Sequence, residues 1–469
     1  MVVQIINRLA VLFFITFLLV NIAGTVMAQQ SSPAITIDES IATALANNLS
    51  VKSAEEKVKV AEQKINEARA SMMPSISGSG SYTYMGKLPE MQFDLSQLLK
   101  GLPLGGGTNP QGAPPASSGS SIPLGNKDNY NVGLSAQQPL FTWGKIHNAY
   151  SLTKISYEAE KQGLESIKQQ VIFDTTKAFY GVLLTEQLVK VTQMAVDQVQ
   201  AHTKTAQDLV DAGMATNFDL LRAKVQLANI KSQFIKMQNL LKLSKDVFKN
   251  TIGMNLDADV TLKGEFTYKP MEIDIDKLLD LAKNNRPEIK QLGLQEKVGE
   301  KAVSLAKAGN KPNVALAYNY SYTSYADTLS KAFKRDNWNN TWSLTLALSV
   351  PIFDGLATRS RVKQAKIAVS QIQIGKEQLL NGISLDVRSS YMSFQEAKEL
   401  LKVQEETVQQ AQESLRIANL RYKNGMITSV ELMDTELAFT QAQTNYSNAL
   451  NDYVIAIAKL EKATASKLN

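Results

Sequence analysis

Apolar and polar residues alternate strictly in two segments of the second half of the chain. Every second residue of 313–323, from Val314 to Tyr322, is apolar or aromatic, and residues 341–350 repeat the pattern. An alternation with a period of two predicts β-strands with one apolar and one polar face. A weaker alternation of the same kind predicts two further strands, at about 75–85 and 130–139.

Two long segments predict helices instead, because neither contains a proline and each has few glycines. They give helices at about 145–212 and 357–424, each roughly 100 Å long at about 1.5 Å per residue. A tight turn follows each long helix, and then a second helix, at about 216–252 and 428–463. In the last of these, apolar residues from Phe439 to Leu460 are spaced by three and four, which is the spacing of a coiled-coil seam.

The chain also contains an internal repeat. Asp211–Thr216 returns as Lys423–Thr428, and the two glycines in these segments differ by 212 residues (425 − 213 = 212). Pro139–Phe141 returns as Pro351–Phe353 at the same offset (351 − 139 = 212). The sequence therefore predicts two structural repeats, at 29–260 and 261–469.

The first repeat carries an additional loop, at about 86–129. Its central part, 101–125, is rich in glycine, proline and serine, a composition typical of a flexible segment. Because the strands on either side are entered from helices on the inner face, the loop is expected to lie outside the cell. Its role stays open between plugging the mouth of a channel and contacting a partner.

The N-terminal segment predicts export. Arg8 precedes an apolar run, Leu9–Val20, and Val26–Ala28 fits the small-residue rule for cleavage. We therefore expect residues 1–28 to be a signal peptide. An uncleaved N-terminal anchor is the alternative.

Composition argues against several classes of function. The chain has 50 Lys+Arg and 44 Asp+Glu, a net charge of +6, and its basic residues alternate with acids along the helices, so nucleic-acid binding is not indicated. It has no cysteine, and its two histidines, His147 and His202, are far apart. The sequence thus predicts no metal site, no cofactor and no catalytic residues. We expect a protein that is not an enzyme.

The strands match the length and pattern of outer-membrane strands, which span a bilayer in about 9–11 residues. A half-buried strand of a soluble sheet alternates in the same way, but four such strands in an exported chain favour the membrane. Open edges are not tolerated in lipid, and the smallest closed barrels have about eight strands, so several chains must share one barrel. Aromatic residues form a predicted interfacial girdle: Tyr82, Tyr84, Tyr320, Tyr322, Trp338 and Trp342.

The two tight turns contain residues that are typical of the end of one helix and the start of the next. Gly213 and Gly425 are placed where a long helix ends with a positive φ angle. Thr216 with Asp219, and Thr428 with Glu431, are spaced as capping boxes that start the next helix. Capping is therefore one predicted role for both carboxylates.

Three features together resemble the TolC-like outer-membrane factors: the duplicated architecture, the segments Gln138–Phe141 and Val350–Gly355, and the turn segment Arg421–Asp434. The resemblance implies a mainly α fold with a membrane β-barrel part. Long coiled-coil-like helices would form a trimeric α-barrel, and four strands per chain would contribute to a shared twelve-stranded β-barrel. It also implies an outer-membrane location in a Gram-negative-type bacterium, with the helices extending into the periplasm.

The function implied by the resemblance is the exit duct of a tripartite efflux or type I secretion system. The partners implied are two further copies of the chain in a homotrimer, a periplasmic membrane-fusion adaptor, an inner-membrane pump of the RND or ABC type, and outer-membrane lipid. The cargo is not specified by the sequence. The alternatives are a stand-alone outer-membrane channel and a periplasmic coiled-coil interaction protein.

The resemblance also assigns roles to residues of the turns. Glu431 and Asp434 match two acidic positions that ring the periplasmic entrance, and Tyr422 matches the aromatic position of the closing network; plain helix packing is the alternative for Tyr422. Asp219 is assigned to the same periplasmic gate, with capping as its alternative role. Residues assigned to adaptor contact are Gly213, Met214, Thr216, Gly425, Met426 and Thr428. Ile427 and Phe218 depart from the family's polar latch, where the prototype has an arginine and a hydroxyl residue. The polar latch is therefore either absent or replaced by apolar contact.

Overall fold

The computed structural model describes residues 34–93, 120–123, 126–266, 268, 271–325 and 334–468. The predicted signal peptide, 1–28, and most of the glycine-rich segment, 101–125, lie outside the described residues. Within the part that is described, no helix is both long and apolar enough to cross a membrane.

The described residues form eight helices and eight strands, numbered here along the chain. The helices are α1 Ile37–Asn47, α2 Leu49–Ala70, α3 Lys145–Asp211, α4 Asn217–Ile252, α5 Ile275–Asn285, α6 Pro287–Lys307, α7 Ala357–Lys423 and α8 Ser429–Thr464. The strands are β1 Ala34–Ile35, β2 Ser75–Tyr84, β3 Glu90–Phe93, β4 Ser120–Pro123, β5 Asp128–Phe141, β6 Thr261–Leu262, β7 Asn313–Tyr325 and β8 Trp338–Ser349. Short 3₁₀ turns lie at Ala308–Asn310 and Arg335–Asn337.

The chain divides into two compact units, and each draws on both halves of the sequence. The helical unit consists of the described parts of Met1–Val58, Glu160–Gln291 and Lys376–Asn469. The sheet unit consists of the described parts of Lys59–Ala159 and Leu292–Gly375. The two sequence repeats, 29–260 and 261–469, therefore do not correspond to the two compact units. Each compact unit contains parts of both repeats.

The main sheet of the sheet unit has four antiparallel strands in the order β2-β5-β7-β8. Their register keeps the two faces distinct: Leu134 pairs with Tyr320, which pairs with Trp342, whereas Ser135 pairs with Asn319. One face is thus apolar and aromatic and the other is made of serine, threonine, asparagine and alanine, as the alternation predicts. Among the described residues, β2 and β8 each pair on one side only, which leaves the sheet with two open edges.

The strands differ from their predicted bounds at the loop ends. β8 begins at Trp338, three residues earlier than expected, because its ladder with β7 continues to the pair formed by Ser324 and Trp338. The polar pair Asn339 and Asn340 interrupts the alternation there and hides the strand from the sequence pattern. In addition, β3 and β4 form a short antiparallel ladder within the segment that was expected to be a loop, 86–129.

The connection from each strand pair into its long helix has the same backbone shape in both halves. Trp143 and Gly144 have φ angles of 48° and 75°, and their counterparts Gly355 and Leu356 have φ angles of 64° and 66°. Two consecutive left-handed residues thus turn the chain from strand to helix, and each half supplies one glycine and one larger residue.

The helical unit has two hydrophobic clusters that correspond through the repeat. Val171 and Phe248 belong to one cluster, and Ile383 and Leu460, which lie 212 residues further on, belong to the other (383 − 171 = 212 and 460 − 248 = 212). The predicted seam of α8 is confirmed. Its fully buried members are Ala442, Ala449, Tyr453, Ala456 and Leu460.

The turn between α1 and α2 is fixed against the end of α4. The side-chain amide of Asn48 donates a 2.8 Å hydrogen bond to the carbonyl of Thr251. Gly253 ends α4 with a φ angle of 70°, and a Cβ atom there would lie 2.8 Å from the backbone of Asn47. Only glycine fits this approach without a shift of the neighbouring chain.

Candidate functional site at the helix turns

The first turn joins α3 to α4. Gly213 has a φ angle of 71°, and the N–H of Met214 donates a 2.8 Å hydrogen bond to the carbonyl of Leu209, which closes the end of α3. The N–H of Asp219 donates to Oγ1 of Thr216 at 3.2 Å, and the N–H of Thr216 donates to Oδ2 of Asp219 at 3.3 Å. The predicted capping box is confirmed at this turn.

The second turn repeats this geometry between α7 and α8. Gly425 has a φ angle of 70°, and the N–H of Met426 donates to the carbonyl of Arg421 at 2.9 Å. The N–H of Thr428 donates to Oε2 of Glu431 at 2.7 Å, which completes the second predicted capping box. Hydrogen bonds from the backbone N–H and then the hydroxyl of Thr428 hold the pKa of Glu431 below its ordinary value.

The predicted entrance carboxylates differ in their surroundings. Glu431 and Asp434 are exposed on the first turns of α8, whereas Asp219, at the start of α4, is half-buried. Asp219 lies close enough to Tyr422 for its charge to help raise the pKa of that phenol. The structure therefore brings Asp219 and Tyr422 together and leaves Glu431 and Asp434 on the surface of the single chain.

Tyr422 is buried between the two hairpins. Burial raises the pKa of its phenol, the charges of Asp219 and Glu436 add to that effect, and a hydrogen bond with Ser429 opposes it. Its neighbours form an apolar cluster whose buried members are Leu415, Ala418, Tyr422 and Leu432, with Leu209, Ile427 and Phe439 packed against them. Tyr422 thus makes the helix-packing contacts that its alternative role requires, and its part in a gate stays a prediction.

A buried polar group beside Tyr422 was not predicted. Nδ1 of His202, on α3, lies 3.3 Å from Oε2 of Glu436 on α8. Nε2 of His202 lies 3.2 Å from Oγ of Ser429, the first residue of α8. The His202 and Tyr422 rings meet edge to face, with a centroid distance of 5.1 Å and an angle of 78° between their planes. His202, Glu436 and Ser429 are 4%, 4% and 7% exposed, so this group lies inside the helical unit.

One sequence signal points to this group. Glu436 lies four residues after the buried Leu432 and three before Phe439, so a charged residue occupies the inward face of α8. The repeat offers no counterpart, because the positions equivalent to His202 and Glu436 are Ser414 and Lys224 (202 + 212 = 414 and 436 − 212 = 224). Nothing in the sequence shows that the two residues meet.

The residues assigned to partner contact are on the surface. Met214 and Met426 are 74% and 65% exposed. Gly213, Thr216, Gly425 and Thr428 are also exposed. Of the two departures from the polar latch, Phe218 is exposed, whereas Ile427 packs against the apolar cluster around Tyr422.

The predicted girdle residues lie together at the loop end of the sheet. The register places them in successive cross-strand rows on the apolar face, with Tyr82 level with Trp338 and Tyr320 level with Trp342. Tyr82, Tyr84, Tyr322 and Trp342 are exposed, and Tyr320 and Trp338 are half-buried. The rings of Tyr320 and Tyr322 meet edge to face at a centroid distance of 5.4 Å.

Long hairpin helices with two matching turns and a four-stranded sheet with two unlike faces define a class, the outer-membrane channel proteins with helical extensions. Residues 40–246 and 278–466 match the family model described as outer membrane efflux protein. The chain belongs to the outer membrane efflux protein family. It is accordingly a transport protein of the outer membrane.

Individual relatives agree with this assignment. The chain is 22% identical over 340 residues to the outer membrane protein TolC of Vibrio cholerae, covering 72% of this chain and 76% of the relative. It is 23% identical over 340 residues to the alkaline protease secretion protein AprF of Pseudomonas aeruginosa, covering 71% and 69%. Its fold is similar to that of the Campylobacter jejuni CmeC outer membrane channel, with a TM-score of 0.72, 16% identity and coverage of 91% and 85%. The predicted fold class is confirmed.

Proposed function

We propose that this chain forms a homotrimeric exit duct that opens and closes at its helix turns. The observation that carries the proposal is the sheet register, which gives one chain four strands, an apolar face and two open edges. Three copies joined at those edges would give a closed barrel of twelve strands that satisfies every backbone group in lipid. The strands then lie in the outer membrane, with the girdle at its interface, and the helix turns lie in the periplasm.

The gate of the duct is proposed to consist of Asp219, Tyr422, Glu431 and Asp434. Glu431 and Asp434 are exposed at the start of α8, so three copies around one axis would present six carboxylates to the entrance. Tyr422 and Ile427 close the space between the hairpins by apolar contact. In this chain an isoleucine therefore takes the place of a polar latch residue.

The exposed turns are the proposed docking surface for a periplasmic adaptor, which would connect the duct to an inner-membrane pump of the RND or ABC type. Met214 and Met426 project beside small residues, and a methionine side chain adapts to a partner surface. The relatives' names include both a probable efflux pump outer membrane protein and an alkaline protease secretion protein. Small molecules and an exported protein are thus both candidate cargoes, and the pump would select between them.

An enzymatic role is not proposed. Ser429, His202 and Glu436 have the order of a serine–histidine–acid relay, but the serine hydroxyl is buried beneath Tyr422 at the start of α8. A substrate carbonyl would have to approach that hydroxyl within about 3–3.5 Å to be attacked. The packing around Ser429 leaves no such approach, so the group is better suited to joining helices.

The docking proposal is tested by photo-crosslinking in cells, followed by mass spectrometry. The probe replaces Asn217 or Met426, both of which are exposed at the turns. Met392, equally exposed in the middle of α7, serves as the matched control position. Capture of a periplasmic adaptor from both turns but not from Met392 would support the tripartite duct. Capture of copies of this chain alone would favour a stand-alone channel instead.

A further inference from the structure

The helix end of the main sheet carries a second group of aromatic and apolar side chains, at the opposite end from the girdle. A register shift between Pro139 and Phe141 pairs Phe141 with Val314, which pairs in turn with Leu348. Phe141 therefore lies on the apolar face, in the last apolar row before the helices. The Trp143 ring meets the Phe141 ring edge to face at a centroid distance of 5.2 Å.

The second repeat places equivalent side chains at the same end of the sheet. Val350, Ile352, Phe353 and Leu356 follow β8, and Ile352 and Phe353 are 90% and 78% exposed. Phe353 corresponds to Phe141 through the repeat (353 − 141 = 212). Phe141 is 52% exposed although β7 already pairs beside it, so an equivalent strand of a second copy beside Phe353 would leave that ring exposed too.

The distance between the two aromatic groups fits the apolar part of a membrane. Along β8, ten residues separate Trp338 in the girdle from Leu348 in the row of Phe141 (348 − 338 = 10). At about 3.4 Å per residue this is about 34 Å of strand, or about 26 Å across a membrane at a tilt of about 40°. The apolar band of an outer-membrane barrel is about 25 Å tall. The second group therefore lies at the other membrane surface from the girdle.

Basic residues are concentrated beside this second group. The helix residues nearest the sheet and their connections to the strands occupy 61–74, 142–154, 298–312 and 350–366. These segments contain eleven basic and four acidic residues, a net charge of +7 (11 − 4 = 7), whereas the whole chain has a net charge of +6. At the loop end, segments 85–93, 126–128 and 334–338 contain four basic and three acidic residues. The positive charge of the chain is thus concentrated at the helix end of the sheet.

The basic residues closest to the aromatic group have no acidic partner. Lys145, Arg359 and Arg361 are exposed, and their side chains make no ion pair or hydrogen bond with any other residue that the structure describes. Asp354 is the one acidic residue of 350–366, and its Oδ2 atom accepts a 2.8 Å hydrogen bond from the N–H of Thr358. The three cations are therefore available to an external anion.

The two arginines lie on different sides of α7. This helix packs against α6 and the turn after it through Val369 and Thr358. Because successive helix residues are rotated by about 100°, Arg359 lies about 100° to one side of Thr358 and Arg361 about 60° to the other. Each flank of α7 thus presents an arginine within about one helical turn of the sheet.

We propose that the helix end of the sheet binds anionic phospholipid headgroups in the periplasmic leaflet of the outer membrane. The aromatic side chains of Phe141, Trp143 and Phe353 enter the boundary of the acyl chains, and Lys145 and the arginines of α7 bind the phosphate groups. Guanidinium groups bind phosphate through two parallel hydrogen bonds, and a lysine binds it as a point charge. An anionic headgroup complements the net positive charge of this surface better than a zwitterionic one does. This inference rests on the proposed function, which places the sheet in the membrane.

The tryptophans report on the lipids at each end of the sheet. The chain has three of them. Trp338→Phe with Trp342→Phe leaves Trp143 at the helix end. Trp143→Phe with Trp338→Phe leaves Trp342 near the loop end, where it is 65% exposed, and this protein is the matched control. Each full chain is reconstituted into vesicles of phosphatidylcholine and phosphatidylglycerol, in which one lipid at a time carries brominated acyl chains that quench nearby tryptophans.

The extent of quenching gives the relative affinity of the two lipids at each tryptophan. We expect phosphatidylglycerol to be preferred at Trp143 by roughly fivefold or more, the factor for one basic residue near an anionic surface. At Trp342 we expect the two lipids to quench about equally, because the charges at the loop end nearly balance. This comparison needs no change of a charged residue, so it decides the question even if the charge variants fail to assemble.

Charge variants then test the basic residues themselves. Combining Lys145→Gln, Arg359→Gln and Arg361→Gln in the protein that keeps Trp143 should remove most of the preference for phosphatidylglycerol. The matched control removes three exposed basic residues of the helical unit and should keep the preference: Arg222→Gln, Arg388→Gln and Lys402→Gln. Inorganic phosphate, added at constant ionic strength, should also leave the preference unchanged. Loss of the preference on adding phosphate would show a site for the free anion and would overturn the lipid site.

The remaining outcomes separate this inference from the proposed function. Equal quenching of Trp143 by both lipids would overturn the headgroup site and leave the duct intact. A triple charge variant that keeps the lipid preference but shifts the reversal potential in planar bilayers would place these charges in the pore, which also overturns the site. If neither lipid quenched Trp143 or Trp342, the sheet would not lie in the membrane, and the proposed function itself would be wrong.

Discussion

Nη1 of Arg286, at the junction of α5 and α6, donates a 2.7 Å hydrogen bond to Oδ2 of Asp386 on α7. The same nitrogen donates to the carbonyl of Ala463 near the end of α8 at 3.2 Å, and Nε donates to Oε2 of Glu288 at 3.2 Å. Burial alone would raise the pKa of Glu288, but the Arg286 guanidinium outweighs it and holds that pKa below its ordinary value. One side chain therefore joins three helices of the helical unit.

Removal of Arg286 is expected to destabilise the protein strongly. Arg286→Ala leaves Glu288 half-buried without its cation, and we expect a loss of about 2–3 kcal/mol in the free energy of unfolding. Thermal melting of the assembled protein measures the effect. Arg416→Ala is the matched control, because Arg416 and its partner Glu413 are both well exposed and an exposed pair contributes little. Equal melting temperatures for the two variants would contradict the bridging role of Arg286.

Glu461 is expected to lower stability at neutral pH. Burial raises the pKa of its carboxyl, with smaller opposing effects from the N–H of Leu468 and the charge of Lys467. Because the folded pKa lies above the unfolded one, the charged form costs stability above the folded pKa, and that cost disappears as the pH falls below the unfolded pKa. Glu461→Gln, which can still accept the bond from Leu468, should therefore raise the melting temperature at pH 7.5 and have little effect near pH 4. A gain that is the same at both pH values would refute this explanation.

The capping and electrostatic roles of Glu431 can be separated. Glutamine also fits the capping-box position, so Glu431→Gln with Asp434→Asn should keep the turn while removing both charges. We expect reduced preference for cations and weaker block by divalent ions, measured as reversal potential and conductance in planar bilayers. Thr428→Ala is the complementary variant, expected to cost about 1 kcal/mol of stability while the charges remain. Unaltered ion selectivity in the doubly neutral variant would show that these carboxylates do not line the pore.

Acid should weaken the second cap. The folded pKa of Glu431 is depressed by the bonds from Thr428, so its stabilising contribution is present above the unfolded pKa and is lost as the pH falls through the folded pKa. Glu431→Gln does not titrate, so the difference in melting temperature between the two forms should shrink as the pH is lowered. A difference in melting temperature that stays constant down to pH 3 would count against the capping bonds as the cause of the lowered pKa of Glu431.

Two glycines with the same backbone angle should respond differently to substitution. Gly213→Ala meets nothing within 4 Å and is expected to cost about 1–2 kcal/mol for the left-handed conformation alone. Gly253→Ala has the same conformational cost and also brings a Cβ atom to 2.8 Å from the backbone of Asn47. We expect the larger loss of stability for Gly253→Ala, measured by thermal melting. Equal losses of stability would mean that the backbone at Asn47 moves away from the added Cβ atom at no cost in free energy.

The sequence predicts the long helices to within one residue at the turns, because Gly213, Gly425 and the threonine caps are local signals read directly from residue type. It predicts the strands through their alternation, and it fails where Asn339 and Asn340 interrupt that alternation although the ladder continues. The pairing of β3 with β4 could not be predicted, because a ladder between short segments depends on their closure in space and not on a pattern in either one.

In the candidate site, too, the sequence predicts the local contacts and misses those that depend on packing between helices. Capping by Asp219 and Glu431 follows from a spacing of three residues, and the structure shows it. The contact of His202 with Glu436 joins residues 234 positions apart, and it depends on how two helices are rotated about their own axes. A charged residue on the inward face of α8 indicates that a partner is needed, but only the packed structure shows which side chain provides it.

The register of the four strands fixes which face of the sheet each side chain occupies. Each residue on the apolar face is matched to an apolar-face residue on the neighbouring strand, from Ile76 and Ala136 at one end to Tyr82 and Tyr130 at the other. One residue inserted before Asn129 in β5 would turn the following side chains to the opposite face, unless a bulge absorbed it, as happens between Pro139 and Phe141. Asn129, Asn131 and Ser135 would then face the lipid side. Within the strands, a change of one residue therefore requires a bulge, whereas the segments that join the strands can change in length without altering the register. The large insertion of the first repeat lies in such a joining segment, where it does not change the register of the sheet.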